Sequence, residues 1–332
     1  MDLPSFVQIE PVGQCNLRCR MCPIQFRPDG APGQPPAFIA YADFCRILDQ
    51  FPGLTELHLQ GLGEPLMHLY FFDMVRYAAQ RGIRVSTNTN LTILSEERAE
   101  ECVASGLRTI QVSLDGASAP VYESIRTRAH FSKVLRNLRR LTRAKERRES
   151  SLPEIRLVCV VMRANLAELP ALVRLAHKEG IKSLSVQHLC HDFGESSLPP
   201  RYASMREFID GQTLMHEDPE RVDWYFGEAR AMAARFGVAL RLPNVKPRGH
   251  PAGTPGRQRC DWPWRGAYIS YDGHAMPCCM VATPDRINFG NVASEGVATV
   301  WNNDAYQDFR DRLDSAEPPE ICRGCAVYKG TF

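Results

Sequence analysis

The sequence predicts an α/β protein: a partial (β/α)6 barrel of the TIM type, followed by a small α+β domain. Three observations lead there. Six apolar, β-rich runs alternate with helical patterns from the start to about residue 190, the order of a parallel sheet covered by helices. Several runs also alternate within themselves: Glu56, His58 and Gln60 against Leu57 and Leu59, and Gln111, Ser113 and Asp115 against Ile110, Val112 and Leu114. Beyond Leu242 the character changes, through a stretch of four prolines and three glycines, to short strands around an Asp-Gly turn.

The predicted strands are 7–11, 56–60, 84–88, 109–114, 156–162 and 183–189, with helices over 41–50, 69–81, 95–105, 120–146 and 166–179. Ser95 is a start signal, and Gly82, Gly106 and Gly180 are stop signals. Six units are too few to close an eight-fold barrel, so a curved, partly open one is expected. Successive strand side chains point to opposite faces. The apolar face is then covered by helices and the polar face lines a lumen, with the active site at the C-terminal strand ends. Alone, His58 reads better as a hydrogen-bonded core histidine. Residues 202–237 read as amphipathic helix, 266–270 and 274–277 as short strands and 299–313 as a final helix. The expected domains are 1–240, a 241–259 linker and 260–332.

At 332 residues, with 44% hydrophobic and 23% charged residues, the composition is that of an ordinary globular protein. A net charge of +2 gives no global attraction to nucleic acid or an acidic membrane. No apolar run is long enough to span a bilayer, and the N-terminus lacks a secretory pattern, so a cytoplasmic location is expected. Residues 133–148 are rich in Arg and Lys, with leucines at helical spacing, and read as a solvated helix face rather than an RNA contact. In a reducing compartment the twelve cysteines point to metal ligands and packed thiols, not disulfides.

Cys15, Cys19 and Cys22 form a C-x3-C-x2-C run after the first strand, at the predicted mouth of the barrel. Three such thiolates can hold three irons of a [4Fe–4S] cube and leave the fourth open. Zinc or stray core thiols is the alternative, but zinc motifs favour paired C-x2-C units. Cys260, Cys278, Cys322 and Cys325 make a second group of four donors, which suits either zinc or a closed cluster.

The first cysteine run resembles the signature of the radical S-adenosylmethionine (SAM) enzymes, with Met21 where an aromatic residue is usual. The resemblance implies that the open iron chelates SAM and that a 5′-deoxyadenosyl radical abstracts hydrogen from substrate. It also assigns SAM contacts. Gly63, Glu64 and Pro65 match the motif that meets the methionine amino group, although Leu62 replaces its first glycine. Asn88 ends the third strand beside SAM, and Ser113 or Asp115 approaches the ribose. Arg126 is a candidate partner of the SAM carboxylate, or else a surface arginine. The second cysteine group, with the Asp-Gly hairpin, Gly290-Asn291-Val292 and Trp301-Asn302, is similar to the SPASM/twitch extension of these enzymes, which implies one auxiliary [4Fe–4S] cluster on Cys260, Cys278, Cys322 and Cys325.

The expected activity is therefore radical oxidation or epimerisation, served by an electron donor such as flavodoxin or ferredoxin. A small polar molecule, of sugar or aminocyclitol type, is the expected substrate, because Cys15 leaves no room for a leader-binding domain and one four-cysteine site resembles the aminocyclitol dehydrogenases. Modification of a peptide or protein is the alternative, and a zinc-stabilised binding protein without catalysis is an alternative of another class. Cys279 is a candidate hydrogen-atom donor, with a packed thiol as its plainer reading. His191 and Asp192 are candidate substrate contacts or bases, alongside Gln187, His188, Cys190 and Glu195.

Overall fold

The computed structural model describes residues 1–27, 37–189, 193–251, 253–281 and 283–332. His191, Asp192 and Cys190 lie outside them. Six strands fall where the sequence places them: β1 (Phe6–Ile9), β2 (Glu56–Leu59), β3 (Arg84–Thr89), β4 (Thr109–Ser113), β5 (Glu154–Val161) and β6 (Ser183–His188). Three more complete the sheet: β7 (Ala239–Arg241), β8 (Gly266–Ile269) and β9 (Ala275–Met276). The strand order is β7-β6-β5-β4-β3-β2-β1-β8-β9, parallel throughout except for the β8–β9 hairpin. The sheet does not close on itself, as a partial barrel requires.

Side-chain alternation decides which face is which. Leu57, Leu59, Val85, Ile110, Val112, Leu157, Leu184 and Val186 are buried beneath the helices. His58, Ser86, Asn88, Gln111, Ser113, Ser185 and Gln187, on the other face, are only half-buried. The covering helices are α1 (Tyr41–Leu48), α2 (Phe71–Ala79), α3 (Glu96–Ala104), α4 (Ala119–Ile125), α5 (Phe131–Arg147), α6 (Leu169–Lys178) and α8 (Pro219–Phe236), while α7 (Ala203–Gln212) packs in a separate apolar cluster. The Ser95 side chain caps α3 by accepting from the Arg98 N–H at 3.1 Å. The basic face of α5 is a solvated one: Arg139 pairs with Glu179, Arg140 with Glu96, and Arg147 and Arg148 with Glu100.

Three expectations change. The single helix over 120–146 is α4 and α5, separated by a turn in which Arg128 takes φ 74°. The break has a use: the Thr127 and Ile125 carbonyls accept the Arg18 and Arg20 N–H groups of the cysteine loop at 3.1 and 3.0 Å. The helices over 202–237 and 299–313 also split, the second into Val297–Trp301 and Asp304–Asp314. Finally, the sheet runs across residue 260. β8 pairs with β1 in the register Val7↔Ala267 and Gln8↔Tyr268. This covers the N–H and C=O groups that an edge strand would otherwise expose. No helix among the described residues is long and apolar enough to cross a membrane.

Candidate functional site

The site begins where β1 ends. Its final turn leads into the segment carrying Cys15, Cys19 and Cys22, and loops from β2 and β3 close around that segment. The Cys15 sulfur accepts from the Leu17 N–H at 3.4 Å and from Asn90 Nδ2 at 3.7 Å. Asn90 also donates to Asn16 Oδ1 at 3.0 Å, and Asn16 donates to Thr92 at 2.7 Å. N–H groups aimed at sulfur stabilise a thiolate, which is the form that binds iron.

The Gly61-Leu62-Gly63-Glu64-Pro65 loop meets the cysteine segment backbone to backbone. A Cβ on Gly63 would lie 1.9 Å from the Val12 carbonyl oxygen and 2.5 Å from that of Gln14. The Gln14 oxygen is held in place, because Glu64 N–H donates to it at 2.9 Å. Glu64 itself is spent on structure. Its carboxylate accepts from Thr89 Oγ1 at 2.5 Å, Asn90 N–H at 2.8 Å and Leu66 N–H at 3.1 Å, and burial pushes its pKa up. Pro65 starts the short turn Pro65–Met67 that Glu64 caps. Gly63→Ala is expected to weaken SAM binding at least tenfold by pushing the two loops apart, while Gly53→Ala, which meets nothing within 4 Å, leaves it unchanged. Equilibrium SAM titration of the two variants checks this; equal affinities would rule out the close-approach argument.

Asp115 and Arg126 are brought together. Arg126 Nε lies 2.7 Å from Asp115 Oδ2 in a buried ion pair, and Arg126 Nη1 lies 3.9 Å from the Cys19 sulfur. Asp115 Oδ1 accepts from Val160 N–H at 2.8 Å. The surface alternative for Arg126 is thereby excluded. Ser113 faces the lumen, and so does Asn88, whose buried Oδ1 has no hydrogen-bond partner among the described residues. A buried acceptor in that state suits a ligand that brings its own donor. His58 is the hydrogen-bonded histidine its context suggested: Nδ1 and Nε2 contact Ser86 at 2.8 Å and Gln60 at 2.6 Å, and burial lowers its pKa.

The mouth-facing group after β6 is partly turned inward. His188 Nε2 contacts the Asn244 carbonyl at 2.9 Å, and Glu195 pairs with Arg286, whose Nε donates at 2.7 Å. Ser196 donates to Glu320, and Arg201 pairs with Asp285. The segment 193–202 is thus tied to the C-terminal domain. Phe193, Tyr202, Met205 and Ile209 form a separate apolar cluster on which Met21 and Phe26 of the cysteine loop pack.

Cys260, Cys278, Cys322 and Cys325 line one pocket, whose other walls are apolar side chains including Pro263, Pro277, Phe309 and Tyr328. Burial pushes the thiols up, Cys260 to about 11 and, at the other site, Cys22 to about 12, so metal binding must displace protons. No disulfide joins the described cysteines. No trio of His, Cys, Asp or Glu converges closely enough, among the described residues, to ligate one ion. Thiols spread around a pocket suit the separated corners of a cube. By the chemistry of their donors, three thiols in one set and four in the other, both sets suit [4Fe–4S] clusters. Cys279 is half-buried and does not line this pocket. Of the remaining cysteines, Cys102 and Cys159 are buried thiols and Cys45 is half-buried.

Sequence reasoning missed Glu10 and Arg27. Arg27 Nη1 donates to both Glu10 carboxylate oxygens at 2.9 and 3.1 Å, and Leu62 N–H donates to Glu10 Oε1 at 3.0 Å. Both side chains of the pair are essentially inaccessible. A Cβ on Gly61 would sit 2.2 Å from Glu10 Cγ. A charged residue ending an apolar strand was the available signal for Glu10; nothing local marks Arg27.

Residues 9–176 match the family model of the Radical SAM superfamily, and residues 260–326 match an iron–sulfur cluster-binding domain, SPASM. The chain is 26% identical over 325 residues to the tungsten-containing aldehyde ferredoxin oxidoreductase cofactor-modifying protein of Pyrococcus furiosus, covering 92% of this chain and 83% of that one. It is 24% identical over 336 residues to the PqqA peptide cyclase of Rhodopseudomonas palustris, covering 99% and 81%. Among solved structures, Streptococcus suis SuiB bound to its precursor peptide SuiA has a TM-score of 0.68 at 17% identity, covering 99% of this chain and 71% of SuiB. These likenesses overturn the expectation that a small molecule is the favoured partner: a protein named as a peptide cyclase and one bound to its precursor peptide each align with 99% of the chain. The reasoning from room ahead of Cys15 was too weak, because the position of one motif says nothing about what the lumen admits. With the family model spanning half the chain, the protein belongs to the radical SAM superfamily.

Proposed function

We propose that this protein modifies a side chain of a peptide substrate by hydrogen abstraction. The observation that carries the reading is a polar lumen opening beside the Cys15–Cys22 loop, in a chain whose likeness to a peptide cyclase spans 99% of its length. As a radical SAM enzyme it uses a SAM-binding [4Fe–4S] cluster, and its SPASM domain binds auxiliary iron–sulfur. When bound, SAM and its cluster supply a 5′-deoxyadenosyl radical.

The residues divide the work. Cys15, Cys19 and Cys22 hold the SAM cluster, and Cys260, Cys278, Cys322 and Cys325 hold the auxiliary one. Gly63 lets the loop backbone approach the methionine amino group, with Glu64 and Pro65 fixing the loop's shape. Asn88 and Ser113 present polar atoms to the nucleoside from the lumen face. Asp115 orients Arg126 beside Cys19, and the guanidinium would pair with the SAM carboxylate. The roof of Phe193, Tyr202 and their neighbours excludes water from the cysteine loop.

The test is anaerobic incubation of reconstituted enzyme, SAM and dithionite with peptides encoded by short open reading frames beside its gene. A peptide mass change, matched by 5′-deoxyadenosine and localised to one residue, is expected. Deoxyadenosine formed with every peptide left unmodified would overturn the proposal.

A further inference from the structure

Asn90 reaches the cysteine loop from the end of β3 with one N–H pointed at sulfur. The residue is 5% exposed, and both ends of its amide are engaged. Oδ1 accepts from the Thr92 N–H at 2.9 Å and from the Thr92 hydroxyl at 2.6 Å. Nδ2 donates to Asn16 Oδ1 at 3.0 Å and to the Cys15 sulfur at 3.7 Å. The Thr92 N–H fixes which end is which. A backbone N–H can only donate, so the amide oxygen faces Thr92 and the nitrogen faces Cys15. The main chain is held as well, since Asn90 N–H donates to Glu64 Oε2 at 2.8 Å. The next residue, Leu91, is fully buried with φ 57°, and its carbonyl accepts from Asn137 Nδ2 at 2.7 Å. A leucine in the left-handed region is strained, and such strain persists only where surrounding contacts impose it. Here it sits directly beside the residue whose amide meets the cysteine.

We propose that Asn90 is a positioning residue that acts through Cys15: its amide N–H, bonded to the Cys15 sulfur, raises the reduction potential of the SAM cluster. The inference rests on the assignment of Cys15 as a ligand of that cluster. An iron-bound thiolate carries negative charge, and adding an electron to the cluster increases the charge on sulfur. A donor held at that sulfur stabilises the reduced form more than the oxidised one, and hydrogen bonds to sulfur are among the terms that set these potentials. An iron-bound sulfur has no proton to give, so the contact of the Cys15 thiol to Asn16 Oδ1 at 4.0 Å lapses, and the N–H bonds to sulfur remain. One of them, from Leu17 at 3.4 Å, belongs to the cysteine loop itself. Asn90 is a donor brought by another segment, and the same residue holds Glu64 through its main chain. The loop that approaches the methionine moiety and a ligand that sets the potential are thus tied to one amino acid.

Asn90→Asp keeps an acceptor for Thr92 and removes the donor to sulfur, whereas Asn90→Leu removes both. In an EPR-monitored redox titration of the anaerobically reconstituted full chain, the reduced-to-oxidised ratio of the SAM cluster at its parent midpoint is expected to fall about tenfold in either variant, which is ~59 mV for one electron. The SAM cluster is identified by the signal that changes when SAM is added, and the auxiliary cluster should titrate as before. In parent protein carrying asparagine with an isotopically labelled side-chain nitrogen, electron–nuclear double resonance should show a nitrogen coupling to the reduced SAM cluster, and Asn90→Asp should lose it. Midpoints unmoved in both variants overturn the proposal. So does an equal fall at both clusters, since the change would then be a general loss of packing. If neither variant assembles the SAM cluster, the labelled parent decides: absence of the coupling overturns the proposal and its presence supports it. Iron content of Cys15→Ala tests the ligand assignment separately, and the titration needs no peptide, so failure of the proposal is distinguishable from failure of either reading.

Discussion

Cys22→Ala is expected to reduce 5′-deoxyadenosine formation by at least a thousandfold while leaving the C-terminal cluster in place. Anaerobically reconstituted parent protein should hold about eight irons per chain and the variant about four. The reason is geometric. With two thiolates left, Cys15 and Cys19, the cube has two corners without protein ligands, and the SAM position is no longer defined. The backbone around Cys22 should survive the change, because it is held by main-chain bonds, Cys22 N–H to the Cys19 carbonyl at 3.0 Å and the two bonds to the α4–α5 turn. Thermal unfolding of the metal-free variant should therefore match that of the metal-free parent. The complementary variant, Cys325→Ala, should lose the other four irons and retain SAM cleavage without substrate. If Cys22→Ala still produced deoxyadenosine near the parent rate, the assignment of the open corner to this loop would fail.

The second large effect concerns a pair that has no place in the usual list of cofactor contacts. Arg27→Met leaves the Glu10 carboxylate buried without its cation. Breaking a buried pair from one side costs about 3–5 kcal/mol, whereas removing both charges is often near neutral. The single variant is therefore expected to lose several kcal/mol in urea unfolding. The double variant Glu10→Gln/Arg27→Met should recover most of that loss. SAM affinity should stay low in both, because the pair fixes the end of the cysteine loop, through Arg27, against the Gly61–Pro65 loop, through Leu62 N–H. A single Arg27→Met variant within about 1 kcal/mol of the parent would show that the loops are positioned by something else. Full SAM affinity in the double variant would show that the pair contributes to folding only.

The barrel strands were legible because a strand with one helix-covered face and one polar face writes a period of two into the sequence, and β2, β3, β4 and β6 all do so. The short strands were not. β7 has three residues and β9 two, too few for any period to show, and each exists because a neighbour offers unpaired backbone groups. The helix over 120–146 read as continuous because no Pro or Gly interrupts 121–146; the break is set by bonding to the cysteine loop, which lies more than a hundred residues away in sequence. The candidate residues divide in the same way. Cysteine spacing marks the two candidate ligand groups. The roles of Glu64 and Asp115 as internal acceptors, and the burial of Glu195 against Arg286, depend on partners contributed by other segments.

Taken by itself, the sequence determined the family, the two cysteine groups, the parallel α/β order and the polar lumen, because each is written in residues close together or at a short repeat. The tertiary structure alone decided that the C-terminal domain continues the barrel sheet through β8 and that Glu10 and Arg27 tie the cysteine loop to the Gly61–Pro65 loop. These depend on which distant segments meet, and on which buried polar groups find partners when they do, and no local pattern of residues encodes either.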